Sequence, residues 1–100
     1  MAEVQSGKSV FKAQKLLKVA LDYAGDAVVS VKIRGDFFMH PDENLEKLEQ
    51  QLRGALLERT ALEERIRMFL RTTQVFGFDE KSLAEAVLMA AGKGTPPAPQ

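Results

Sequence analysis

Two stretches near the start of the chain alternate apolar and polar residues with a period of two. In residues 16–23, Leu17, Val19, Leu21 and Tyr23 interleave with Leu16, Lys18, Ala20 and Asp22. In residues 27–34, Val29, Val31 and Ile33 interleave with Val28, Ser30, Lys32 and Arg34. Successive side chains of a strand point to opposite faces, so both stretches predict strands with one buried face. Ala24-Gly25-Asp26 supplies the turn between them. Pairing Tyr23 with Ala27 sets Leu21 opposite Val29, Val19 opposite Val31 and Leu17 opposite Ile33. A two-residue loop at Gly25-Asp26 would instead set Leu21 against Ser30, and a one-residue slip exchanges the faces, so the first register is the expected one. It places Lys18 directly opposite Lys32 on the polar face, beside Arg34. An anionic partner would relieve that like-charge opposition.

Beyond residue 41 the period lengthens to that of helices. Asp42 and Glu43 after Pro41 put acids at a helix start, Leu45, Leu48 and Leu52 form a stripe, and Gly54 fits the stop. A second helix is expected from the capping-box sequence Thr60-Ala61-Leu62-Glu63, with Leu62, Ile66, Phe69 and Leu70 inward. A third starts at Asp79, with Phe78 and Leu83 placed to staple its first turn and Leu83, Ala86, Val87 and Ala90 on its main face. Leu88 is expected in the core, and Met89 is the better candidate to face a partner. Two strands alone are marginal, so a short third strand is expected around residues 36–39. The predicted architecture is α+β: a small antiparallel sheet, hairpin plus short third strand, covered on one face by about three helices.

The ends carry no such pattern. Residues 1–14 read as a flexible N-terminal segment, residues 15–92 as the folded domain, and residues 93–100, with Pro96, Pro97 and Pro99, as a disordered Pro-rich tail. One hundred residues with 45% hydrophobic content make one compact domain. The absence of cysteine excludes disulfides, thiolate metal sites and cysteine nucleophiles. No apolar run reaches membrane-spanning length and no signal-peptide core precedes the strands, so a soluble cytoplasmic protein is expected.

Lysine plus arginine balances aspartate plus glutamate, 14 against 14, which gives no support to a nucleic-acid or anionic-membrane binder. The balance is uneven along the chain: residues 1–34 hold six basic and three acidic residues, residues 35–50 one basic and five acidic. Arg53, Arg59, Arg65, Arg67 and Arg71 read as a solvated helical face, with Glu63 and Arg67 spaced for an ion pair. No aromatic is interleaved there for base stacking.

Chemistry by this chain alone finds little support. His40 is the single histidine, and its neighbours Asp42 and Glu43 are explained as helix-start acids. No zinc-ligand spacing and no phosphate-cradling glycine loop is present. The most distinctive local feature is Ile33-Arg34-Gly35-Asp36-Phe37-Phe38, followed by Pro41. Gly35 permits a close approach or a conformation that a side chain blocks, and Asp36 is placed to bond nearby amides. If extended, Phe37 and Phe38 point to opposite faces, one to the core and one outward. From pattern alone, the plainer account is a bend into an aromatic strand.

These residues also carry a resemblance. Lys15-Leu16-Leu17-Lys18-Val19, the hairpin, Val31-Lys32-Ile33-Arg34-Gly35-Asp36-Phe37-Phe38, Pro41, and Leu45-Glu46-Lys47-Leu48-Glu49 through Leu52-Arg53-Gly54 resemble the C-terminal domain of lipoate–protein ligases. The likeness runs more loosely to about residue 91. Related sequences often carry a proline- or glycine-containing turn before the lysine at the Lys15 place, where this chain has Ala13-Gln14. The family has a large domain that binds lipoate and ATP, with the small domain either fused to it or separate, and this chain resembles the separate subunit. The resemblance implies an accessory subunit, non-catalytic alone and in a heterodimer with the large catalytic subunit. The pair would activate lipoate to lipoyl-adenylate with ATP, for transfer to a lysine of a lipoyl-acceptor domain. Lipoate, ATP and Mg2+ are then expected in the large subunit and none in this chain. Residues expected near the partner or the adenylate are Lys15, Lys18, Lys32, Arg34, Gly35, Asp36, Phe37 and Phe38. The competing expectations are a non-enzymatic protein-interaction adaptor, or a regulatory domain of a related acyl or biotin ligase.

Overall fold

The computed structural model describes residues 3–92. Three strands, β1 (Gln5–Lys12), β2 (Leu16–Ala24) and β3 (Ala27–Gly35), form an antiparallel sheet in the order β1-β2-β3. A short strand β4 (Phe38–His40) leads to helices α1 (Asn44–Gln51) and α2 (Arg59–Leu70). Strand β5 (Gln74–Phe76) pairs with β4, and helix α3 (Glu80–Ala90) closes the domain. The α+β expectation holds. Helix α3 packs over β1 and β2, α1 over β3, and α2 against α1 and α3, all on the same face of the sheet.

The core forms where the two periodicities meet. Leu17, Val19 and Leu21 from β2 and Val31 and Ile33 from β3 are buried against Leu48, Leu62, Ile66, Leu83 and Val87 from the helices. Each such side chain contributes about 1.5–3 kcal/mol by leaving water. Leu88 is in the core as expected, and Met89 is half-buried.

The hairpin register departs from expectation. The turn is the two-residue Gly25-Asp26 loop, with Ala24 opposite Ala27 and Gly25 at φ +60°. Between Asp22 and Tyr23 the pairing shifts by one residue, so Tyr23 faces Val28 while Asp22 faces Ser30. Val29 is the extra residue of this β-bulge, which restores the buried parity that a two-residue loop alone would lose. Val28 is therefore buried and Val29 exposed. Leu21 lies opposite Val31, Val19 opposite Ile33 and Leu17 opposite Gly35, while Lys18 faces Arg34 and Lys32 faces Ala20. Loop contacts hold the bulged end: Val28 N–H donates to the Ala55 carbonyl at 2.9 Å, and Gly54 N–H to the Val28 carbonyl at 2.7 Å.

The third strand of the sheet comes from the segment expected to be flexible. Strand β1 turns Gly7, Ser9 and Phe11 toward the helices and Ser6, Lys8, Val10 and Lys12 away. Gly7 and Ser9 are small because α3 lies so close, while Phe11 packs against the core further along. A Cβ at Gly7 would overlap the Ala90 carbonyl oxygen, and Ser9 Oγ donates to the Ala86 carbonyl at 2.6 Å. The short strand expected at residues 36–39 exists as β4, but it pairs with β5 in a separate ribbon.

Helix starts divide in the same way. Asp79 caps α3 as expected: Ser82 N–H donates to Asp79 Oδ1 at 2.8 Å, and Asp79 N–H donates to Ser82 Oγ at 2.9 Å. Helix α2 begins before the expected box, after Glu58, with no side-chain cap bond. An Arg59–Glu85 ion pair at 2.8 Å ties its first turn to α3 instead. Arg67 reaches Glu80 of α3 at 3.6 Å rather than Glu63. Residues 93–100, expected to form a disordered tail, lie outside the described residues.

Candidate functional site: an aromatic end and an open basic sheet face

The residues singled out from the sequence fall into two groups. Lys15, Gly35, Asp36, Phe37 and Phe38 meet at the end of the sheet where β2 begins and β3 ends. Gly35, at φ +151°, lies against the Leu16 carbonyl so closely that a Cβ would overlap its oxygen. Asp36 N–H donates to that same carbonyl at 3.0 Å. The backbone of Asp36 thus does the tying expected of its side chain. Among the described residues its exposed carboxylate has no hydrogen-bond partner.

From this bend the two phenylalanines part as expected. Phe37 turns inward and meets Phe78 edge-to-face, with ring centroids 4.9 Å apart and planes at 85°. Phe38 turns outward and stands 75% exposed. It pairs across the β4–β5 ribbon with Phe76, itself 65% exposed, so two large aromatic side chains form one outward ridge. Lys15 N–H donates to the Gly77 carbonyl at 3.0 Å, and a Cβ at Gly77 would come within 3.0 Å of the Lys15 and Phe37 side chains. This packing ties the start of β2, the residue 35–38 bend and the approach to α3 into one unit. The Phe76 partnership was missed from sequence because it depends on pairing residues far apart in the chain.

Lys18, Lys32 and Arg34 form the second group, on the sheet face that no helix among the described residues covers. Strand β1 extends this face with Lys8 and Lys12, two cations that sequence reasoning assigned to a flexible segment. Across the strands run the rows Val10–Lys18–Arg34 and Lys8–Ala20–Lys32. Lys8, Lys18, Lys32 and Arg34 rim a shallow depression of about 310 Å³ floored by Val10 and Ala20. Val10 is 60% exposed. At the turn end, Asp22 accepts from Ser6 Oγ at 2.7 Å and Ser30 Oγ at 3.1 Å. The Ser6 bond, then the Ser30 bond, hold its carboxyl below the ordinary carboxylate value, and Lys32 adds to the effect. Asp22, at the margin of this face, is thereby occupied.

Arg34 also reaches across the outer edge of β3 to Glu49 of α1 at 3.1 Å. Among the described residues no three acidic or histidine side chains gather into a metal site, and no helix is long and apolar enough to cross a membrane. His40 sits exposed in β4 opposite Gln74. The arrangement offers two exposed surfaces, an aromatic ridge and a basic sheet face.

A sequence model of the bacterial lipoate protein ligase C-terminus matches residues 16–87. The chain belongs to this family. The matched stretch runs from the start of β2 into α3, taking in the residue 35–38 bend and leaving β1 outside. The chain is 42% identical over 50 residues to lipoate-protein ligase A subunit 2 of Thermoplasma acidophilum, an alignment covering 49% of this chain. It spans about half, 53%, of that relative's length. Its fold is similar to a chain of a solved archaeal lipoylation system, a bi-partite lipoate protein ligase and its E2 lipoyl domain, from the same organism. That likeness has a TM-score of 0.75 at 29% identity and covers 85% of this chain and 97% of the other.

Proposed function

We propose that the chain is the accessory subunit of a two-part lipoate–protein ligase, acting in a heterodimer with a separate large catalytic subunit in the cytoplasm. The observation that carries this reading is the fold match to a chain of the bi-partite archaeal ligase, which covers 97% of that chain. The likeness to a ligase subunit 2 points the same way. In this reading the large subunit holds lipoate, ATP and Mg2+, and this chain supplies surface. The Phe38–Phe76 ridge docks against the large subunit, with Lys15 and the residue 35–37 bend holding the ridge in position. Lys18, Lys32 and Arg34 face phosphate or acidic groups of the partner across the open sheet. Docking excludes water and orders loops around the adenylate as lipoate and ATP react, and the lipoyl group then passes to an acceptor domain.

Mixing the chain with its cognate catalytic subunit and following lipoyl-adenylate formation tests the reading. Stimulation by the wild-type chain, lost in Phe38→Ser plus Phe76→Ser at unchanged far-UV circular dichroism, is the expected result. Equal adenylate formation with and without the wild-type chain would remove the accessory role.

A further inference from the structure

The two edges of the sheet are finished differently. Along the outer edge of β3, Ile33 N–H donates to Glu49 Oε2 at 2.8 Å, and the Ile33 carbonyl accepts from Arg34 Nη1 at 2.7 Å. Arg53 Nε reaches the Val29 carbonyl at 3.3 Å, and the loop after α1 takes both backbone groups of Val28. Much of that edge is closed to a further strand. Strand β1, at the other edge, has no comparable cover among the described residues.

The hydrogen-bond parity shows which groups β1 leaves open. The Leu16 carbonyl faces the β3 side, because it accepts from Asp36 N–H. In an antiparallel ladder the direction alternates by residue, so Leu17, Val19 and Leu21 direct their backbone groups to β1. Their partners Phe11, Ser9 and Gly7 bond to β2. Ser6, Lys8, Val10 and Lys12 then direct N–H and C=O outward. The same four side chains lie on the uncovered face. Unpaired edge groups of this kind are a template for another strand.

We infer that the outer edge of β1 takes an extended, acidic segment of the large catalytic subunit, which adds a strand to the sheet. Lys8 and Lys12 select for acid: carboxylates at alternate positions of the incoming strand fall on the same face as these lysines and Lys18. A second copy of β1 is disfavoured by the same parity. Its outward residues would gather four lysines on one face of the joined sheet, where like charges repel. Backbone bonds supply the grip and the alternate lysines the selectivity, as in strand-addition recognition generally. The inference rests on the accessory-subunit reading for the partner's identity.

Amide exchange followed by NMR on the labelled chain, free and bound to the cognate catalytic subunit, gives the test. The expected signature is alternation. Ser6, Lys8, Val10 and Lys12 slow by tenfold or more on binding, while Gly7, Ser9 and Phe11, already bonded to β2, change less. Val10→Pro removes one outward donor, which an edge strand tolerates, and is expected to weaken binding at least tenfold, whereas Val10→Ala is expected to bind nearly as wild type. A complex that still stimulates adenylate formation but leaves the four amides unprotected overturns strand addition and leaves the accessory role standing. Protection that appears with rising concentration of this chain alone assigns the edge to a second copy and overturns the inference. Failure to form any complex removes both readings.

Discussion

The two faces of the β1–β3 sheet are built from the same strands and serve opposite ends. On one face Leu17, Val19, Leu21, Val31 and Ile33 are buried under the helices, and β1 contributes Gly7 and Ser9 so that α3 can approach. On the other, Lys8, Lys18, Lys32 and Arg34 surround Val10 and Ala20, with no helix of the described residues above them. A strand alternates its side chains, so each residue on one face has neighbours on the other, and in the proposed reading stability and recognition are separated by single steps along the chain. Substitutions on the covered face should therefore act through folding, and those on the open face through binding.

The largest expected effect is on the covered face. Ile33→Ala removes a fully buried side chain opposite Val19 and is expected to cost about 2–5 kcal/mol in chemical denaturation. If the variant unfolds at the wild-type denaturant midpoint, the buried face does not hold the fold as described. Next comes the α3 cap. Asp79→Ala is expected to cost about 1 kcal/mol, because Ser82 N–H and the first turn lose their acceptor. The cap also has a pH signature. The bond from Ser82 N–H holds the Asp79 carboxyl below its ordinary value of 3.8, so its contribution is complete above that value and is lost as pH falls through the lower, folded one. Comparing wild type with Asp79→Ala between pH 6 and pH 2 should show the stability gap closing at the acid end. A gap that widens in acid would contradict the assignment.

The smallest stability change is expected on the open face. Lys18→Ala plus Lys32→Ala removes two exposed cations, and the unfolding free energy should change by no more than about 0.5 kcal/mol. Stimulation of lipoate-dependent ATP–pyrophosphate exchange should nevertheless fall, and more at low salt than at high salt, where screening already weakens the pairing. Unchanged exchange would remove the electrostatic role of this face while leaving the aromatic ridge to carry docking.

What could be read from the sequence follows the same division. The covered face of β2 was legible because Leu17, Val19 and Leu21 alternate with little interruption. Strand β1 was not, because its inward residues Gly7 and Ser9 are small and polar for the sake of the α3 contact, which erases the apolar signal. In β3 the bulge at Val29 was hidden, since alternation alone cannot show where a strand holds an extra residue; the predicted Lys18–Lys32 opposition became Lys18–Arg34 and Ala20–Lys32. The cap at Asp79 could be read locally. The start of α2 could not, since the Arg59–Glu85 contact that holds it comes from elsewhere in the fold. At the site, the inward and outward split of Phe37 and Phe38 followed from strand geometry, and the motif likeness placed them in a family. The ridge with Phe76 required the β4–β5 pairing, which no local pattern announces.

The most direct test of the account is the rate of lipoate-dependent ATP–pyrophosphate exchange by the cognate catalytic subunit as this chain is titrated in. The rate is expected to rise and saturate at one accessory chain per catalytic subunit. A rate that stays flat through the titration, with the catalytic subunit folded and able to bind ATP, would contradict it.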